Sequence, residues 1–215
     1  MSKSALLCLS GGVDSATLLA EYIENISCCV FFNYGSKQNK IEIRYARELA
    51  ERFDRKLVEI NARPLFEGFK SALMEFNPEE IESGAYSSEK ECNAVVPGRN
   101  LIFASILGGL AQSKGLEKVY LGIHSGDHMV YADCRPGFVN ALNKTFEIVF
   151  NGKVYLETPY IYNTKKLIAR KAAFYGLSVL TYSCYRGNEI HCGTCPTCIE
   201  RKQAFGKLDK TIYKE

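Results

Sequence analysis

A short apolar run, Ala5-Leu6-Leu7-Cys8-Leu9, meets an amphipathic stretch, Ala16 to Ile23, through Ser10-Gly11-Gly12-Val13-Asp14-Ser15. The run is short, unbroken and apolar, as a strand buried on both faces should be. The stretch after it has the spacing of a helix with one apolar face. Two glycines and two serines therefore occupy a strand-to-helix turn. Glycine lets the backbone approach a ligand closely. The first turn of the helix offers unpaired N–H groups and the positive end of the helix dipole. Together these make an anion site, most naturally one for phosphate. The plainer reading is a tight turn with Asp14 and Ser15 capping the helix. The turn has no Lys where a G-x-x-x-x-G-K-[ST] phosphate loop needs one, and it does not spell G-x-G-x-x-G.

The rest of the chain repeats the alternation. Ile26 to Gly35 reads as a second buried strand, Ile41 to Phe53 as a helix, and Lys56 to Ile60 as a third strand. Strand, helix, strand, helix, strand implies parallel pairing through right-handed crossovers. Leu65 to Phe69 is compatible with a helical turn. Asn77 to Glu91 is polar and acidic and is expected as a long loop, either a lid over a site or a surface insertion. Pro97-Gly98-Arg99-Asn100 opens a helix running from Leu101 to Lys114. Arg99 stands in its first turn, where the dipole disfavours a cation unless an anion shares the site. Val119 to Ile123, Phe138 to Phe150, Leu156 to Pro159 and Thr164 to Tyr175 complete the order as strand, helix, strand and helix, with Thr164 as cap.

In an open parallel sheet, ligands bind beyond the carboxyl ends of the strands. Three loops are expected there: Ser10 to Ser15, Tyr34 to Lys37, and Gly122 to Pro136. The third holds His124, Asp127, His128, Tyr131, Asp133, Cys134 and Arg135, a density unusual for a solvated turn. A carboxylate such as Asp133 can accept the amidine-like N–H edge of a purine, and Arg135 can fork a carboxylate. His124 and His128 suit general bases or plain hydrogen-bond partners.

Cys184, Cys192, Cys195 and Cys198 fall within fifteen residues. Such crowding calls for a metal. Tetrahedral zinc with four thiolates fits, and so does an iron–sulfur cluster, given the C-x-x-C-x-x-C spacing. Ile199 after Cys198 excludes a c-type haem site. Four thiolates would fill zinc's shell and leave it a structural role.

The chain has 215 residues and a net charge of +3, enough for a substantial core and weak grounds for a nucleic-acid partner. No apolar run approaches the roughly 18 residues of a membrane span. Met1 to Ser4 leads straight into the first strand, so no secretory leader is expected. Nine Cys, an odd number with four clustered, suit a reducing compartment. The expected location is cytoplasmic. Cys8 and Cys28 or Cys29 are expected simply to pack in strands.

Ser10-Gly11-Gly12-x-Asp14-Ser15 after a first strand resembles the pyrophosphate loop of the ATP pyrophosphatases. With Val96-Pro97-Gly98-Arg99-Asn100, Tyr131-x-Asp133-Cys134-Arg135, Lys165, Ser183-Cys184-Tyr185 with Gly187, and Cys192-Gly193-x-Cys195-x-x-Cys198, the chain resembles the 7-cyano-7-deazaguanine synthase family of queuosine and archaeosine biosynthesis. The motifs follow the family's order and cover nearly the whole chain. The resemblance implies an α/β, Rossmann-like fold of the adenine nucleotide alpha hydrolase kind. A five-stranded parallel sheet would carry helices on both faces and a C-terminal zinc knuckle. Residues 1–180 would form the ATP-binding unit, with an insertion at about 63–95. Residues 181–215 would form a zinc-binding segment packed on it.

The resemblance also implies an ATP-dependent carbon–nitrogen ligase. It would join 7-carboxy-7-deazaguanine to ammonia through the amide and on to the nitrile. ATP, Mg²⁺ and one structural Zn²⁺ would be its cofactors, and the chain would be a homodimer without nucleic-acid or membrane partners. Leu9, Ser10, Gly11, Gly12, Val13, Asp14, Ser15, Ala16, Thr17, Leu18, Leu19 and Arg99 would bind the nucleotide. Asp14, Arg99, Lys165, Asp133 and Arg135 would be catalytic, with Asp14 holding Mg²⁺. His124, His128, Tyr131, Asp133 and Arg135 would hold the substrate, and the four cysteines the zinc.

Three departures from the family's pattern stand out. Tyr34-Gly35-Ser36-Lys37-Gln38 replaces a common Tyr-x-Gln-Arg-His. Lys165-Lys166-Leu167 replaces Lys-x-Glu. His128-Met129-Val130-Tyr131-Ala132 replaces a Ser-Gly-Tyr stretch. They are compatible with an enzyme that stops at the amide or that uses another amine. A tRNA sulfur-transferase, working through Cys134 or Cys92, and a non-enzymatic zinc-knuckle binding module are the readings from other classes.

Overall fold

The computed structural model describes residues 4–87, 92–126 and 131–214. Five parallel strands form one sheet: β1 (Ala5–Cys8), β2 (Ile26–Asn33), β3 (Lys56–Asn61), β4 (Lys118–Tyr120) and β5 (Tyr155–Glu157), in the order β3-β2-β1-β4-β5. Six helices connect or flank them: α1 (Val13–Glu21), α2 (Asn39–Arg52), α3 (Arg99–Ser113), α4 (Pro136–Val149), α5 (Lys165–Phe174) and α6 (Pro196–Phe205).

Alternation along β1 sorts the core into two layers. Ala5, Leu7 and Leu9 join a buried cluster with Leu18 and Leu19 of α1, Leu49 of α2, Ile168 of α5 and Phe205 of α6. Leu6 points the other way, into a cluster with Phe103 and Leu107 of α3 and Phe146 and Phe150 of α4. The sheet is thus covered on both faces, as an all-parallel sheet requires. Leu6, Leu7 and Leu9 are fully buried, and truncating any one to Ala should cost about 2–5 kcal/mol.

The expected strands and helices are present, with shifted ends. α1 starts at Val13 rather than Ala16, and β4 stops at Tyr120 rather than running to Ile123. Leu121 N–H still donates to Glu157 O of β5 (3.1 Å), and from Gly122 the chain runs past the first turn of α1. α6 is an addition, because its polar stretch lacks a strong apolar stripe. It starts at Pro196, whose fixed φ suits a first helical position, directly after Cys195.

The segment 63–95 is not a bare surface insertion. Phe66, Leu73, Met74 and Ile81 are buried in the core. Lys37 N–H donates to Leu73 O (2.8 Å), and Gly84 N–H to Thr194 O (2.9 Å). The segment therefore bridges the loop after β2 and the cysteine-rich C-terminal region.

Candidate active site

The chain leaves β1 toward β2 and β3, then returns to place β4 on β1's other side. The crevice at the carboxyl ends of β1 and β4 is the switch point where such folds bind ligands. A cleft of about 240 Å³ lies there.

Its floor is the Ser10–Ser15 loop. Ser10 and Ser15 hydroxyls lie 3.1 Å apart, and Ser15 Oγ accepts from Ser10 N–H and donates to Gly12 O, both at 3.2 Å. Gly12 N–H donates to Ser10 Oγ at 3.2 Å. Gly11 has φ +83°, and a β-carbon there would stand 2.6 Å from Glu42 O, so no side chain fits between the loop and α2. A β-carbon at Gly122 would stand 2.9 Å from Ser15 N. The loop is therefore packed backbone to backbone on both sides.

Lys165, at the start of α5, reaches across to Asp14. Its Nζ donates to both carboxylate oxygens, at 2.9 and 2.7 Å, and lies 3.6 Å from Glu200 of α6. Burial works against this ammonium, but Asp14 and Glu200 outweigh it and raise its pKa. His124 Nε2 stands 4.0 Å from Asp14 Oδ2.

Arg99, in the first turn of α3, is the second cation of the cleft. It donates to Tyr34 OH (3.1 Å), its guanidinium lying 5.7 Å from that ring's centre. Among the described residues it makes no ion pair with a carboxylate. Three phenols line the cleft's rim: Tyr131 OH lies 2.8 Å from Tyr185 OH and 3.3 Å from Tyr86 OH. Burial keeps all three neutral by raising their pKa values.

Several expected site residues stand elsewhere. Leu9, Ser10, Gly12, Val13, Asp14, Ser15, Arg99, His124, Tyr131 and Lys165 line the cleft. Ala16, Thr17, Leu18 and Leu19 lie in the core behind the loop. Asp133 does not line the cleft. Its Oδ2 accepts from Asn100 N–H at 3.1 Å, satisfying a free donor in the first turn of α3. Arg135 is exposed just before α4 and outside the cleft. His128 lies outside the described residues. Of the departures, Gln38 lines the cleft whereas Leu167 is 43% exposed and does not. Glu42, Tyr86 and Glu200 line the cleft without having been singled out from sequence, beside Gln38 of the first departure and Tyr185 of the Ser183-Cys184-Tyr185 motif. Glu42 alone of the three carried a usable signal, one helical turn past Gln38.

Cys184, Cys192, Cys195 and Cys198 are all buried, with their sulfurs within 4.8 Å of one another. Cys192 and Cys198 sulfurs are 3.9 Å apart. A tetrahedral shell with metal–sulfur bonds of about 2.3 Å has edges of about 3.8 Å. Hydrogen bonds from the Cys195 and Cys198 thiols lower the Cys184 pKa, and the same contacts raise that of Cys198. The group can hold a metal such as zinc. His191 is not among the four. Its Nε2 accepts from Ser183 N–H at 3.0 Å, and burial lowers its pKa to about 4, so it stays neutral.

Arg201 of α6 ties this region to the fold. It is 1% exposed and donates to Thr211 (2.7 Å), Ser183 (2.9 Å), Thr181 (3.1 Å) and Ser178 O. The guanidinium thus clamps the segment before Cys184 to the C-terminal tail.

The sequence profile of the queuosine biosynthesis protein QueC matches residues 4–209. A 7-cyano-7-deazaguanine synthase of Porphyromonas gingivalis is 38% identical over 99% of this chain and 98% of its own. One of Desulfotalea psychrophila is 40% identical over 97% of this chain and 98% of its own. Among solved structures, the NMN synthetase of Francisella tularensis aligns over the whole chain and 90% of its own, with 12% identity and a TM-score of 0.36. That likeness is too low to carry an argument.

Proposed function

The chain belongs to the family of the queuosine biosynthesis protein QueC, and on that premise we propose that it is an ATP-dependent ligase making 7-cyano-7-deazaguanine from 7-carboxy-7-deazaguanine and ammonia. The observation that carries the ligase reading is Arg99, a cation facing the same cleft as the Ser10–Ser15 loop and lacking a carboxylate partner among the described residues. A phosphate chain or a carboxylate would complete it.

ATP supplies the activating group and a good leaving group. The acid's carboxylate attacks the α-phosphate and pyrophosphate leaves. Ammonia then adds at the activated carbon, loses a proton and displaces AMP, giving the amide. A second activation, at the amide oxygen, lets the nitrogen lose its remaining protons as AMP departs, giving the nitrile. In this reading the N–H groups of Val13 to Ser15 in the first turn of α1 hold the pyrophosphate, while those of Ser10 and Gly12 brace the loop. Asp14 keeps lone pairs free for Mg²⁺ beside Lys165. Lys165 and Arg99 offset the negative charge that grows on the phosphate oxygens. Tyr131 and His124 face the acid, and the four cysteines hold one structural zinc. Residues 1–180 form the ATP-binding unit and residues 181–215 a zinc-binding segment. The enzyme works in the cytoplasm as a homodimer on small molecules.

Sulfur transfer is disfavoured on chemistry. Burial and Asp133 push the Cys134 thiol up to about 12, and burial raises Cys92, so neither is a ready nucleophile. Mass spectrometry of products from purified protein, Mg-ATP, ammonium and 7-carboxy-7-deazaguanine tests the reading. A nitrile is expected. The amide alone would restrict the reaction to one activation, and untouched ATP would overturn the ligase reading.

A further inference from the structure

Three carboxylates line the cleft: Asp14, Glu42 and Glu200. Asp14 and Glu200 face Lys165. Glu42, 7% exposed, accepts from neutral amides instead: Gln38 Nε2 at 2.8 Å and Asn39 Nδ2 at 3.4 Å. A carboxylate has about four acceptor sites, so two donors leave it capacity. The contact also fixes Gln38's amide. With its N–H₂ turned to Glu42, its oxygen faces away, and that buried Oε1 has no hydrogen-bond partner. Gln38 is 6% exposed. A buried acceptor without a donor is costly, and here it stands beside a carboxylate with acceptor capacity to spare.

The walls nearby are aromatic. Asn39, the residue that also supports Glu42, donates weakly to Phe32 O (3.4 Å) and accepts from Tyr34 N–H (2.9 Å). Phe32 stacks on Phe103 at 4.2 Å, and Tyr34 meets Phe103 edge-on. Two acceptors in a cleft lined by these rings suit a planar heterocycle with adjacent donors. The ring N–H and exocyclic amino group of a 7-deazaguanine form such an edge. Asp133, the carboxylate that its motif suggested for this task, caps α3 and does not line the cleft.

We propose that Glu42 and Gln38 read the ring N–H and 2-amino edge of the deazaguanine substrate. The inference rests on the ligase reading above. With Glu42 ionised the pair contributes acceptors only, so it selects a guanine-type edge over one presenting an acceptor, such as that of adenine.

Equilibrium binding of 7-carboxy-7-deazaguanine, followed by calorimetry, tests this apart from turnover, and steady-state kinetics with a 2-desamino analogue supplies the second reading. Glu42→Gln keeps the shape and should weaken binding of the acid between about 10- and 100-fold, the value of charged hydrogen bonds. Wild type should prefer the 2-amino substrate over the analogue by about 10²-fold or more, and the variant should lose most of that preference. Gln38→Leu should do the same to a smaller degree, and zinc content and circular dichroism check that each variant folds. An unchanged affinity and preference in both variants overturns the proposal. So does a raised KM for ammonium or ATP with the acid's KM unchanged, which would put the pair at the amine or the nucleotide. Wild type that binds the acid but never consumes ATP would instead overturn the ligase reading, leaving the binding comparison to judge the pair.

Discussion

Lys165 Nζ bridges both carboxylate oxygens of Asp14, at 2.9 and 2.7 Å, across 151 positions of sequence. The contact joins the first turn of α1 to the first turn of α5. It sets a carboxylate and an ammonium side by side at the mouth of the Ser10–Ser15 loop.

Lys165→Met should lower kcat/KM by about 10²–10³-fold, the usual cost of removing one preorganised charge from a site of this kind. Asp14→Asn should act similarly and make activity more sensitive to Mg²⁺ concentration. Pyrophosphate release against Mg²⁺ concentration checks both. An unchanged rate for either would remove that residue from the chemistry.

Gly122→Ala tests the loop's backbone packing. Its β-carbon would sit 2.9 Å from Ser15 N and 3.0 Å from the Asp14 carbonyl carbon. The loop must shift, and a displacement near 1 Å should cost about 10²-fold in kcat/KM for ATP. Thermal melting should show a loss of about 1–3 kcal/mol.

The cysteine cluster should bind one zinc per chain, read by elemental analysis. Cys198→Ser should lower zinc content and reduce Tm by roughly 10 °C or more, because the metal's binding free energy is also folding free energy. A strong chelator should do the same to wild type and leave the variant nearly unaffected.

Burial raises Glu42 from 4.5 to about 7, against the opposing pull of Arg99. Between those values the folded chain holds a proton that the unfolded chain has released. Stability should therefore fall as pH rises from about 4.5 to 7, by about 3 kcal/mol in all. Glu42→Gln should flatten that part of the profile and be more stable than wild type at pH 8, with the two alike near pH 4.5. Urea midpoints across this range measure it.

Arg201→Met should cost about 3–5 kcal/mol, because it leaves the buried Ser178 O and Thr181 hydroxyl without their donor. Denaturant unfolding gives the figure, and the loss should appear without change in the KM for ATP.

Much of the frame was legible in local patterns. Alternation between buried runs and helical stripes places all five strands. Thr164 caps α5 as its position suggests, accepting from Leu167 N–H at 3.3 Å. Strand ends were less legible. Whether Gly122 and Ile123 pair or turn away depends on the α1 first turn that Gly122 packs against. α6 lacked a clear stripe because its buried face holds Arg201, Ala204 and Cys198 as well as Phe205.

Local sequence settles the glycine-serine turn after β1, the four-cysteine cluster and the parallel α/β frame. Each depends on residues close together in the chain, where φ/ψ preference, periodicity and ligand spacing act directly. Which polar groups face the cleft follows from long-range packing. Asp133 and Glu42 are both carboxylates near strand ends. Asp133 caps α3 outside the cleft, and Glu42 lines it beside an unpartnered amide oxygen. A side chain's free hydrogen-bonding capacity is what remains after its distant neighbours have been satisfied, and those neighbours are set by packing.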